Sequence, residues 1–175
     1  MSDSSKNIIE FTLVYNQHKA ILFNFTLKMV GDRMVCEDIV QNVFIKFFEN
    51  LEKIRNAEGI RSWLFTTARN EIFTFYRKKK IHIDQFGVAD ADELDLEDSI
   101  KVDHEYEMKE TSEMILKSVN ELPLEQKEVF LLKEYGGFSY KEISAIMNIN
   151  EELVKSRLFK IRKKLILKLS KIYNY

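Results

Sequence analysis

One proline (Pro123) and five glycines in 175 residues leave this chain few places to stop a helix. Proline inside a helix removes a hydrogen bond and clashes with the preceding turn, and glycine weakens a helix through its backbone entropy. Apolar residues recur at three- and four-residue intervals through long runs, so the expected fold class is all-α. With 45% hydrophobic residues the chain can bury the core of one domain or of two small ones. A lone cysteine, Cys36, excludes an internal disulfide and a cysteine-based zinc site. There is no signal-peptide pattern and no run of about 18 apolar residues, so a soluble cytoplasmic protein without direct membrane insertion is expected.

The net charge of −1 is unlike that of a nucleic-acid binder until the chain is divided. Residues 1–80 carry 13 Lys and Arg against 9 Asp and Glu, residues 81–111 carry 2 against 11, and residues 112–175 carry 12 against 8. Two blocks of net +4 therefore flank a connector of net −9. Taken alone, the acidic run also fits a merely solubilising linker. Few bulky apolar residues lie between Asp84 and Asp98, so 81–100 reads as flexible linker, with a helix re-forming from about His104.

In the first block, residues 8–30 suggest one long, mostly buried helix or two short ones, ended by Gly31-Asp32. Asp32 or a nearby polar residue starts the next helix, which runs to about Leu51. There Cys36, Ile39, Val40, Val43, Phe44, Phe47, Phe48 and Leu51 form a wide apolar face. Asp38, Gln41, Asn42, Ile45 and Glu49 occupy the other side. An isoleucine within an acidic and amide face suits a protein partner better than nucleic acid, although single exposed aliphatics are common. A polar connector, Lys53 to Ser62, leads to a third helix expected from about Trp63 to Lys80. Its predicted buried stripe is Leu64, Phe65, Ala68, Ile72, Phe75 and Tyr76. Trp63, Thr66, Arg69, Asn70, Phe73 and Arg77 make the remaining face. Rings stack on unpaired bases while guanidinium groups meet phosphates, so this mixture suits single-stranded nucleic acid. Trp63 suits the core better than the nucleic-acid face, whereas Phe73 fits either.

In the second block, helices are expected over Thr111–Leu122 and Glu125–Tyr135, with Gly136-Gly137 turning into the stretch Phe138–Leu165. Ser139 and Glu142 have the spacing of a capping box. Asn148-Ile149-Asn150 breaks the first helix, and Asn150 can cap a second with Glu151 and Glu152 in its first turn. Val154, Leu158, Ile161 and Leu165 fall within about 60° of one another as a buried stripe. Glu152, Lys155, Ser156, Phe159, Lys160 and Lys163 face away. This is the pattern of a helix-turn-helix whose second helix enters the DNA major groove; an ordinary helical hairpin with a solvated face would look similar.

The strings GDRMVCEDIVQNVFIKFFENL, IRSWLFTTARNEIFTFYRKKK and LPLEQKEVFLLKEYGGFSYKEISAIMNINEELVKSRLFKIRKKL, in that order around an acidic linker, resemble bacterial sigma factors of the extracytoplasmic-function (ECF) group. The resemblance implies a region 2-like domain at 8–80, a linker at 81–111 and a region 4-like helix-turn-helix domain at 112–172. It further implies that Asp38, Gln41, Asn42, Ile45 and Glu49 dock on the β′ clamp helices of RNA polymerase core, with the β flap as a second polymerase contact. Arg61, Ser62, Arg69, Asn70, Phe73, Arg77 and Lys78 would recognise and open the −10 promoter element. Ser139, Tyr140, Lys141, Glu152, Lys155, Ser156, Arg157, Phe159, Lys160 and Lys163 would read the −35 element. An anti-sigma factor, free or membrane-anchored, is also implied. Two departures stand out: Asn42 takes the place of a common carboxylate, and Leu153 that of a frequent small polar residue.

Catalysis has no motif behind it. His18, His82 and His104 lack ligand spacing, no phosphate-binding glycine loop or nucleophile motif occurs, and no cofactor is expected. Two other classes of reading remain. One is a stand-alone helix-turn-helix regulator with an N-terminal dimerisation or sensing module; the other is an interaction protein that never touches DNA. Residues 61–80 discriminate against a sensor, which has no need for Asn70 and Phe73 beside a four-residue basic run. Two elements two helical turns apart lie roughly 70 Å from each other. A free linker of 31 residues spans only about 30 Å on average, against about 100 Å fully extended. The free protein should therefore bind promoter duplex weakly unless a polymerase holds the two domains apart.

Overall fold

The computed structural model describes residues 3–54, 57–86 and 106–173, and these form seven helices and no strand. The linker's central part, 87–105, with His104, lies outside the described residues. Helices α1 (Asp3–Val30), α2 (Arg33–Glu49) and α3 (Ala57–Phe86) make one compact unit. Helices α4 (Tyr106–Asn120), α5 (Leu124–Glu134), α6 (Tyr140–Met147) and α7 (Glu151–Tyr173) make a second. No helix among the described residues is long and apolar enough to cross a membrane.

In the first unit the chain turns at Gly31, whose φ of 73° is disfavoured for residues with a Cβ. Asp32 then caps α2, its carboxylate accepting from the Val35 N–H at 3.0 Å. The three helices pack pairwise around Leu22, Phe25, Met29, Cys36, Val43, Phe47, Leu64, Phe65 and Ile72, all essentially inaccessible. Each such Phe or Leu contributes about 1.5–3 kcal/mol through burial. Phe25 and Phe65 meet across α1 and α3 at 5.2 Å between ring centroids. The Tyr76 hydroxyl donates to the Met29 carbonyl at 2.7 Å, satisfying an acceptor that the end of α1 would otherwise leave open. Burial raises the Tyr76 pKa, which keeps that donor protonated. An ion pair between Lys46 and Glu71 adds a polar link from α2 to α3.

Three expectations need correction here. The third helix starts at Ala57, some six residues before Trp63, because Ile60 is buried one turn before Leu64. That burial outweighs the cost of about 1 kcal/mol for a glycine, Gly59, in the helix. The same helix runs on to Phe86, so residues 81–86 of the expected linker are helical, whereas α4 begins at Tyr106, close to the expected restart. Phe48 stands 49% exposed, beyond the apolar face assigned to it, with its ring edge-on to Phe11 at 5.3 Å. Phe75 and Tyr76 are half-buried at the edge of the stripe.

In the second unit α7 is the central element, packed against α4, α5 and α6. Val154, Leu158, Ile161 and Leu165 form its buried stripe, meeting Val129, Leu131, Leu132, Phe138 and Ile143 in the core. Gly136 has no room for a side chain, since a Cβ would lie 2.6 Å from the Leu132 carbonyl oxygen and 2.7 Å from the Phe138 ring. This tight passage seats Phe138 in the core just before the Ser139–Glu142 capping box, which forms as expected. At the other end of α6, Asn148 takes the left-handed conformation (φ 53°) and Asn150 caps α7, accepting from the Leu153 N–H at 2.8 Å. The Ser144 hydroxyl donates to the Ile149 carbonyl at 2.6 Å and ties the turn together.

Candidate protein and nucleic-acid interfaces

On α2, Asp38, Gln41, Asn42, Ile45 and Glu49 are all exposed, opposite the buried Val40, Val43 and Phe47. Ile45 is 49% exposed. By helical spacing Met34 (78% exposed) and Phe48 lie on the Gln41 side of the same face, so it holds three large apolar groups where one was expected. Phe48 adjoins the buried Phe47 on α2, and the Phe11 ring of α1 covers it only in part. Cys36 beneath this face is inert: its S–H donates to the Phe23 carbonyl at 3.4 Å, and burial pushes the thiol up to about 12.

On α3, Ser62, Arg69, Asn70, Phe73 and Arg77 fall within about 100° of arc by helical spacing. The Arg69 guanidinium carbon lies 4.7 Å from the Phe73 ring centroid, both side chains being half-buried, while Asn70 and Arg77 are exposed. Arg61 and Lys78 fall about 80° to either side of that arc. Arg61 sits near the buried His18 of α1, whose pKa is lowered by desolvation first and by the Arg61 charge second, so the imidazole is neutral. Trp63 packs on Phe47 at 6.0 Å between ring centroids, which favours the core reading for that residue.

On the helix-turn-helix, the Ser139 hydroxyl oxygen accepts from the Glu142 N–H, and the half-buried Tyr140 carries the Lys133 ammonium 5.1 Å above its ring. Lys141 is exposed. Glu152, Lys155, Ser156, Phe159, Lys160 and Lys163 all project from α7, with Phe159 69% exposed. Glu152 accepts from Lys155 at 2.9 Å and holds the lysine pKa above its ordinary value. Arg157, in the expected −35 set, is turned toward Glu125 of α5 and is mostly covered. Arg162 likewise pairs with Glu134 at 2.9 Å, and Lys168 pairs with Glu121. Leu153, outside the expected set, is 38% exposed in the first turn of α7.

Three surfaces thus lie on two units: an apolar patch in an acidic and amide frame, an aromatic and basic face, and a basic second helix of a helix-turn-helix. Residues 14–81 match the family described as Sigma-70 region 2, and residues 112–165 match Sigma-70, region 4. The chain is 30% identical over 155 residues to the RNA polymerase sigma factor SigZ of Bacillus subtilis, covering 87% of this chain and 82% of that one. It is 29% identical over 151 residues to the ECF RNA polymerase sigma factor SigL of Mycobacterium tuberculosis, covering 83% and 80%. The fold is that of the sigma factor RpoE from Bartonella quintana, solved in complex with the anti-sigma factor NepR (TM-score 0.71, 24% identity, 97% and 98% covered). A match on both blocks removes the stand-alone regulator, which would need only the second. The chain belongs to the ECF group of RNA polymerase sigma factors, alternative initiation factors that direct the polymerase to promoter DNA.

Proposed function

We propose that the work of initiation is divided among the three surfaces. The α2 face, with Asp38, Gln41, Asn42, Ile45 and Glu49, docks on the β′ clamp helices of the polymerase core, while the second unit (112–172) also meets the β flap. The first unit (8–80) recognises and opens the −10 element through Ser62, Arg69, Asn70, Phe73 and Arg77, with Arg61 and Lys78 at its edges. The exposed side chains of α7 read the −35 element, supported by Ser139, Tyr140 and Lys141 at the start of α6. The protein acts in the cytoplasm without catalytic groups of its own, and an anti-sigma factor restrains it by covering polymerase-binding surfaces.

The observation that carries this reading is the Arg69–Phe73 pair, on one arc with Asn70 and Arg77. Duplex DNA hides its base faces, so a cation lying on a half-buried ring has its best match in an unstacked base beside a phosphate. The neutral amide of Asn42, where a carboxylate is common, shifts the α2 contact toward its apolar members, Met34, Ile45 and Phe48. The test is transcription by holoenzyme reconstituted from this chain and core polymerase. Replacing Gln41 and Ile45 together by Ala should abolish co-purification with core polymerase and run-off transcription while leaving the thermal unfolding of the free chain unchanged. Retained transcription in that variant sinks the docking assignment.

A further inference from the structure

We infer that Leu153 reads a thymine methyl group in the −35 element, and so sets base preference at one position of the promoter. The inference rests on the assignment of α7 to that element.

The first turn of α7 consists of Glu151, Glu152 and Leu153, held by Asn150 through the Leu153 N–H. Leu153 is 38% exposed, whereas the stripe that secures the helix, Val154, Leu158, Ile161 and Leu165, is at most 8% exposed and lies on another side. Packing within the second unit therefore leaves much of this side chain uncovered. By helical spacing it shares a line with Ser156 and Lys160, both exposed.

The charges of this turn decide what Leu153 can meet. Glu151 and Glu152 are exposed, and the nearest cation, Lys155, is already paired with Glu152 at 2.9 Å. A turn of that character is repelled by phosphates, so it can approach DNA only where the groove floor, not the backbone, faces it. The first residues of a recognition helix do reach base edges there. Across the major-groove floor the base edges present nitrogen and oxygen acceptors and amino donors, all of which lose hydration against a branched aliphatic chain. The one matching group is the thymine C5-methyl. Leu153 thereby favours thymine and penalises the other bases, which a small polar residue at the same place would not do.

The experiment uses holoenzyme of the full chain and a promoter whose −35 element has first been mapped by run-off transcription. Each thymine of that element is replaced in turn by deoxyuridine, which keeps every hydrogen-bonding group and lacks only the methyl. One replacement should weaken promoter binding by wild type about fourfold, the effect of burying one methyl group. Leu153→Ala holoenzyme should bind the unmodified promoter correspondingly less well and be indifferent to uridine at that position. Phe159→Ala should keep the uridine sensitivity there. The inference is overturned if every uridine is tolerated by wild type, if the mapped element contains no thymine, or if Leu153→Ala remains as sensitive as wild type. A loss of core polymerase binding in Leu153→Ala, in place of a promoter effect, overturns it as well and assigns the side chain to a protein contact. A holoenzyme that ignores the whole −35 element overturns the assignment of α7 itself, whereas one that needs the element but tolerates each uridine overturns only the role of Leu153.

Discussion

The two basic faces of this protein differ in how their charges are held. On α3, Arg69 lies 4.7 Å from the centre of the Phe73 ring and both are half-buried, so the pair is partly dehydrated and fixed before any ligand arrives. On α7, Lys160 and Lys163 project into water on flexible stems beside a ring, Phe159, that is 69% exposed. A fixed aromatic–guanidinium pair loses little freedom on binding and presents a flat surface, which suits one flipped or unstacked base. Mobile lysines follow the regular phosphates of a duplex and act mainly by displacing counterions. The contrast teaches that similar net charge in two blocks conceals two modes of recognition, one dependent on ring geometry and one on ionic strength.

Removing the ring should produce the largest effect. Phe73→Ala is expected to weaken the opened complex by roughly 5- to 150-fold, the range for one base–aromatic stack of about 1–3 kcal/mol. Permanganate reactivity of unpaired thymines at the −10 element reports opening, and a footprint at low temperature reports closed binding. Loss of reactivity with an intact closed footprint is the expected result; equal loss of both erases the distinction between the faces. The α7 face should respond to salt instead. Lys160→Ala with Lys163→Ala should flatten the slope of log K against log salt by about 2 and weaken binding on the order of tenfold at physiological salt, at any −35 sequence. An unchanged slope would mean that neither lysine meets a phosphate.

Much of this contrast was legible from local pattern, because the rules that place it are local. Capping at Asp32, Ser139 and Asn150 follows from side chains that reach only their own next turn, and the α7 stripe follows from helical periodicity. The misreadings share a different cause. Gly59 among polar residues looks like connector, and only burial of Ile60 in the three-helix core makes it helix. The ion pair of Arg157 with Glu125 was equally invisible, because it depends on α5 lying alongside, 32 residues away in sequence. Phe48 has the helical position of a core residue, and its 49% exposure depends on how far the Phe11 ring of α1 covers it. Periodicity orients a residue on its own helix and carries no information about which neighbours cover it.

A smaller perturbation tests whether the α7 face depends on its own turn. Asn150→Ala removes the acceptor for the Leu153 N–H and should destabilise the second unit by about 1 kcal/mol. Because Leu153 and Glu152 lie in the turn so capped, promoter binding should fall, while opening at the −10 element by the bound fraction stays normal. Differential scanning calorimetry gives the stability change, and a shift well below about 0.5 kcal/mol would mean that water replaces the cap.

The smallest effect separates the two units by pH. His18 is buried in the first unit, where desolvation and then the Arg61 charge lower its pKa below the ordinary 6.5. In the unfolded chain the imidazole takes up a proton nearer its ordinary pKa, so between the two values the unfolded state binds more protons than the folded one. Stability of the first unit is therefore full above about pH 6.5 and falls as pH drops through that value and toward the lowered folded pKa. The described helices α5–α7 contain no histidine, so the faces on α7 should be indifferent to the same change. Trp63, the single tryptophan, lies in α3 against Phe47 and reports on the first unit alone. Its fluorescence melting temperature should drop from pH 7.5 to pH 5.5 in the wild type and drop less in His18→Gln, which stays uncharged throughout. An equal drop in both would place the acid sensitivity of the opening unit in its carboxylates, and His18 would then be only a packing residue.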